Sequence, residues 1–170
     1  DLIINGANAG SEKTNQSEDF DYVVVKASLP STETVSVSDA GFATYATKYN
    51  VEVPNDENVK VMTVTVNEGN STITLHEIPA KTVIPANTGI LVKATAGNHD
   101  FVVTSDEGKK LENNSLIAAT TDVTSDGATF FALTKMDTKV GFAVVKENFK
   151  IPAGKAYLKV PAATTAKFFS

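Results

Sequence analysis

The chain contains no cysteine and no tryptophan, and all 15 of its cationic side chains are lysine, so arginine is missing too. Without cysteine there are no disulfides, no thiolate metal sites and no cysteine nucleophiles. A core built from 170 residues needs no such staples. Without arginine the chain lacks the bidentate fork that reads bases and phosphates, and its formal net charge is −5. Nucleic acid is therefore not an expected partner. No apolar run approaches the roughly 20 residues that cross a bilayer as a helix, so this segment is not expected to insert in a membrane. No apolar stripe of helical period is sustained over about 11 residues, so helix is expected only as an isolated turn. Nucleophile elbows (G-x-S-x-G), H-E-x-x-H, phosphate loops and dinucleotide-binding glycines are all absent, and no cofactor or metal is expected.

What the chain does have is strand grammar. Its 42% hydrophobic and 21% charged content is that of a globular domain. One phrase recurs: Ile84-Pro85-Ala86-Asn87-Thr88-Gly89 and Ile151-Pro152-Ala153-Gly154 each lead into an apolar run, and Val53-Pro54-Asn55-Asp56 is a looser third copy. Each has an apolar step, a proline that cannot donate a ladder bond, a polar turn, and then a strand. The expected strands are Phe20–Ala27, Thr34–Ser38, Phe42–Thr47, Val59–Val66, Thr72–Ile78, Gly89–Ala94, Asp100–Thr104, Leu116–Thr120, Thr129–Thr134, Val140–Val145, Lys155–Val160 and Ala166–Phe169. Asp39-Ala40-Gly41, Asn67-Glu68-Gly69-Asn70 and Ser125-Asp126-Gly127 are among the turns between them.

Alternation in Val59–Val66 and Thr72–Leu75 predicts one wet and one buried face. The fold class is all-β, an antiparallel sandwich or barrel of about 10–12 short strands. The spacing of Pro54, Pro85 and Pro152, with the second interval close to twice the first, suggests a weak internal repeat of three or four trefoil-like copies. Residues 1–33 read as a linker or the end of a preceding domain with one or two strands, the short apolar segment Leu2–Ile4 at its start and Gly6–Glu18 its most mobile part, and residues 34–170 as the module itself. The chain opens at Asp1 with no initiator methionine, so it is expected to be a piece of a longer protein.

Candidate chemistry is sparse. His76, on an expected strand, and His99, in the expected turn Gly97-Asn98-His99-Asp100, are the only histidines, and without an oriented partner they read as surface residues. The acidic groups Glu18-Asp19-Asp21, Asp56-Glu57, Asp106-Glu107 and Asp122…Asp126 could supply the paired carboxylates of a glycoside hydrolase, but they sit where turns recruit Asp for its own backbone. Asp122-Val123-Thr124-Ser125-Asp126-Gly127 opens like a calcium loop yet has Leu133 where the closing Glu belongs, and it reads as a hairpin turn. Tyr45, Tyr49 and Tyr157 are the candidate ligand-binding residues, as a stacking platform for sugar.

Ser38-Asp39-Ala40-Gly41-Phe42-Ala43-Thr44, the two Ile-Pro phrases, and Asn113-Asn114-Ser115-Leu116 between them, taken in order, resemble a β-rich module of Bacteroidetes proteins. The resemblance covers roughly Thr34 to Ser170, and it departs at Ala143-Val144, where the pattern favours an aromatic. Such modules recur near the C-terminal end of large secreted and surface proteins. The resemblance implies an extracytoplasmic (secreted or cell-surface), non-catalytic module for adhesion, display or carbohydrate binding, whose partners are other domains of the parent chain, a glycan or a surface protein. It supplies no site residues. A glycan-active hydrolase domain and a purely structural cap are the rival readings.

Overall fold

Fifteen strands and one 3-10 turn (Glu68–Asn70) form the regular structure of residues 28–161 and 166–170, which the computed structural model describes. In chain order, β1 (Thr32–Val37) is followed by β2 (Phe42–Ala46), β3 (Val51–Glu52), β4 (Lys60–Asn67), β5 (Thr72–Glu77), β6 (Val83–Ile84), β7 (Gly89–Lys93) and β8 (Gly97–Val102). The remainder is β9 (Leu116–Ala118), β10 (Val123–Thr124), β11 (Phe130–Met136), β12 (Lys139–Val144), β13 (Lys150–Ile151), β14 (Ala156–Lys159) and β15 (Phe168–Phe169). All pairings between these strands are antiparallel. The all-β expectation holds, and the architecture is a sandwich without a closed barrel.

The repeat is real, and it is twofold. A four-stranded sheet has the order β2-β7-β4-β5, and the five-stranded sheet has the order β9-β14-β11-β12 with β15 added at its edge. Register matches residue for residue. Tyr45 opposite Ile90 and Thr44 opposite Leu91 correspond to Ile117 opposite Tyr157 and Leu116 opposite Leu158. Val51 opposite Ile84 corresponds to Val123 opposite Ile151 in the two-residue pairs β3–β6 and β10–β13. Turns are copied as well: the Asn87 and Gly154 amides donate to the carbonyls of Thr47 and Ala119, and both residues have positive φ, 60° and 93°. Lys81 and Asn148 form a second such pair, at 70° and 64°, donating to Val53 and Ser125.

The repeated Ile-Pro phrase thus marks counterpart corners of two copies. The third match, Val53-Pro54, does not: Val53 follows β3, and its counterpart is Ser125. A trefoil-like set of three or four copies is replaced by a tandem pair.

The two copies pack sheet on sheet across an approximate dyad. Gly89 and Ala156 are counterparts, and a Cβ on Gly89 would stand only 2.9 Å from that of Ala156. Between the sheets lie Met62, Val64, Leu91, Leu116, Phe131, Phe142, Leu158 and Phe169. The opposite face of the first sheet is covered by the ribbon β1–β8, which closes a second core of Val35, Val37, Val61, Ile84, Ile90, Val92 and Phe101. Among the described residues, the second copy has no counterpart of that ribbon, and its outer face holds only a small cluster around Ala119, Ile151 and Tyr157.

This layering corrects the alternation argument. Val61, Met62, Thr63 and Val64 are buried in succession, because β4 lies in a middle layer with apolar neighbours on both sides. Leu75, expected inside, is 42% exposed on β5, which pairs only with β4 among the described strands. β3, β6, β10 and β13 were not anticipated, since two residues carry no period. Leu2–Ile4, Gly6–Glu18 and the expected strand Phe20–Ala27 lie outside the described residues.

Candidate functional site

Of the three tyrosines, two meet at one carboxylate and the third is elsewhere. Tyr45 on β2 donates its hydroxyl to Glu33 of β1 at 2.8 Å, and the amides of Lys48 and Tyr49 donate to the same carboxylate at 3.0 and 2.6 Å. Glu33 is buried, yet its oxygens are satisfied by these donors. Burial, then the hydrogen bond to Glu33, then the charge of Glu33, all push the Tyr45 phenol above its ordinary pKa. It therefore remains a donor across the physiological range. The arrangement latches the covering ribbon to the corner after β2. Replacing Tyr45 with Phe is expected to cost about 1.5–3 kcal/mol in urea unfolding, the range of one hydrogen bond to a charged group. An unchanged midpoint would show that the latch carries no stability.

Tyr157 is buried on the outer face of the second sheet, its ring 5.4 Å from that of Phe130. Its neighbours Ala156 and Leu158 point into the intersheet core. The sandwich therefore separates Tyr157 from Tyr45, and the three tyrosines form no common platform.

Concave surface among the described residues includes two pseudo-equivalent places. A cleft of about 590 Å³ is lined by Thr63, Ile78, Thr82 and Val83 together with the segment 107–112. A groove of about 380 Å³ is lined by their counterparts Ala132, Val145, Phe149 and Lys150, together with Ser36, Ser38 and Phe42. The duplication explains the pair: the segment entering each copy crosses the β6 or β13 corner of the other and leaves a trough beside it.

The chemistry of the two troughs has diverged. The larger cleft carries His76, Glu77, Glu107, Lys109, Lys110 and Glu112. Glu77 is ion-paired with Lys60 at 3.0 Å in the open, which fixes its position only weakly. The smaller groove presents Phe149, 62% exposed, where the first copy has Thr82. Leu133 and Ile151 extend its apolar floor, and Lys155 stands at its side. Phe149 was missed in the sequence because it belongs to no stripe. The available signal was a large aromatic inside the turn Glu147-Asn148-Phe149, just before the Ile-Pro corner.

The remaining candidates are engaged locally. His76 Nε2 lies 3.0 Å from the Thr65 hydroxyl, and His99, found in β8 and not in a turn, bonds the Thr95 carbonyl at 2.8 Å. Asp122 accepts the Ala153 amide at 3.1 Å. Asp126 accepts the Thr129 hydroxyl at 2.6 Å and the amides of Thr129 and Ala128 at 2.8 and 2.9 Å. The calcium-like stretch is thus a turn closed at Asp126, but it is not the expected hairpin: β10 pairs with β13, and β11 pairs with β12 and β14, so the strands on either side of the turn do not meet. Among the described residues no group of three or more His, Cys, Asp or Glu side chains is placed to hold a metal.

Those bonds, led by the Thr129 hydroxyl, hold the Asp126 carboxyl at about 2, below its ordinary 3.8. A lowered folded-state pKa stabilises above the unfolded value and is lost as pH falls through the folded one. The turn should therefore loosen from about pH 4 down to about pH 2. Protection of the Ala128 and Thr129 amides, taken as their exchange relative to the intrinsic rate at each pH, should fall over that interval, and in Asp126→Asn this step should be missing. Protection that stays constant across it would contradict the assignment.

Comparison with known protein families, with curated proteins and with solved structures finds no match to this chain.

Proposed function

We propose that this chain is a non-catalytic binding module of a secreted or cell-surface protein, and that it holds carbohydrate in the groove beneath Phe149. The observation that carries this reading is the exposed Phe149 ring at the edge of a groove that also offers serine hydroxyls and two lysines. An aromatic ring left in water is available to pack against the C–H face of a pyranose, while the hydroxyls meet the sugar's own. The duplicated, doubly buried scaffold suits such a role, because it holds the groove walls on paired strands and leaves the ligand contacts on short corners. The extracytoplasmic setting and the attachment to further domains follow from the resemblance to Bacteroidetes modules, and the parent chain's other domains are the expected neighbours.

Titration calorimetry against a panel of soluble polysaccharides tests it. At least one should bind, and Phe149→Ala should weaken that binding by about tenfold or more. The same substitution should shift stability by no more than about 0.5 kcal/mol, since the side chain is mostly in solvent. Binding that survives the substitution intact, or no binding across the panel, would remove the reading.

The rival from another class is a glycan hydrolase. It is favoured by one observation, the gathering of Glu77, Glu107 and Glu112 around the larger cleft. Reducing-sugar release that vanishes in Glu107→Gln would support it over the binding module.

A further inference from the structure

The charge of the chain is divided unevenly. Residues 113–170 carry seven lysines and four carboxylates, whereas residues 1–112 carry eight lysines and sixteen carboxylates. The second copy is thus cationic within an anionic protein, and the Phe149 groove opens on it. Lys150 and Lys155 line that groove, and Lys93 stands 5.7 Å from the ring centroid of Phe42 in its wall. No aspartate or glutamate is among the described residues that line it. The pseudo-equivalent cleft serves as an internal control. Where the groove has Lys150 the cleft has Val83, and around the cleft Glu77, Glu107 and Glu112 are mixed with Lys109 and Lys110. The same backbone frame therefore carries charged groups of both signs in one copy and cationic groups alone in the other.

Resting on the carbohydrate reading, we propose that the groove selects an anionic saccharide, one whose units bear carboxylate or sulfate. The Phe149 ring packs on the apolar face of one unit, and Lys150 and Lys155 meet the acid groups on either side. Apolar walls beside these ammonium groups focus their field, so an acidic chain is steered to the groove although the whole protein repels polyanions. Ser36 and Ser38 supply hydroxyls for the neutral part of the sugar.

The test uses the whole chain and three probes: an oligogalacturonate, the same oligomer fully methyl-esterified, and a heparin oligosaccharide. The acid forms should bind at least about tenfold more tightly than the ester, the difference of one hydrogen bond to a charged group. Their affinity should fall between about 50 and about 300 mM salt, as screening predicts. Lys150→Gln combined with Lys155→Gln should lose at least about tenfold for the acid forms and leave the ester unaffected. Lys135→Gln with Lys139→Gln removes the same charge from the exposed β11–β12 hairpin and should change little. Tighter binding of heparin assigns sulfate as the preferred acid, and tighter binding of oligogalacturonate assigns carboxylate. Either result supports the proposal. Equal loss from both double variants, or an ester that binds as well as the acid, would overturn it with the carbohydrate reading intact. If no probe binds and no neutral glycan does either, the carbohydrate reading falls with it.

Discussion

Replacing Gly141 with alanine is expected to lower stability by about 3–5 kcal/mol, because it forces the two-residue strand β15 off its neighbour β12.

 The strand concerned is simply Phe168–Phe169, paired through Phe169 opposite Phe142 and Phe168 opposite Ala143 of β12. A methyl group on Gly141 would overlap the Phe169 carbonyl oxygen and lie 2.7 Å from the Phe168 ring. The main obstacle is backbone, so no rotamer change relieves it, and β15 must leave β12. Phe169 then leaves the intersheet core, where it is fully buried with its ring 5.1 Å from that of Phe131. Loss of a buried phenylalanine sets the size of the effect, about 3–5 kcal/mol. Urea unfolding of Gly141→Ala, Phe169→Ala and the double variant checks the route. If both act by undocking β15, the double variant is little worse than the worse single one. Additive losses would show that Gly141 matters for some other reason.

The core glycine, the strands and the class of fold differ in how far they could be read from residues alone. The all-β class was legible because turn residues punctuate β-branched runs at short intervals, and local preference agrees with the final structure. The layering was not. Thr44 and Thr63 are buried, and threonine in an alternating run looks the same whether its face meets water or a second core. The duplication was legible at Ile84-Pro85 and Ile151-Pro152, whose corners superpose in register, but Val53-Pro54 imitated the phrase without its pairing. For the site, Tyr45 and Tyr49 stood out as residues, whereas their meeting point did not. Glu33 approaches from β1, and only the pairing of β1 with β8 brings that ribbon over β2. Phe149 becomes visible as a candidate only when its counterpart, Thr82, is known.

The tandem pair makes a quantitative comparison possible inside one molecule. Ile84 and Ile151 occupy counterpart positions after β6 and β13 begin, each opposite a valine, Val51 or Val123. Ile84 is fully buried in the larger core beneath the β1–β8 ribbon, while Ile151 belongs to the small cluster with Ala119 and Tyr157. Truncation to alanine removes the same atoms in both, so the difference reports how well each surrounding can collapse onto the gap. Ile84→Ala is expected to cost about 3–5 kcal/mol, because its neighbours are held by strands on both sides. Ile151→Ala should cost about 2–3 kcal/mol, since the outer cluster has freedom to relax. Pro85→Ala and Pro152→Ala should each cost about 0.4–1 kcal/mol, mainly through greater freedom of the unfolded chain. The Thr47 hydroxyl bonds the Pro85 carbonyl, which alanine retains, so no buried partner is orphaned. All four values come from urea midpoints at constant slope. Equal costs for the two isoleucines would mean the outer face of the second copy is as firmly covered as that of the first. Prolines that outweigh the isoleucines would make the phrase a recognition loop, and its place as the repeated corner of a duplicated scaffold would be lost.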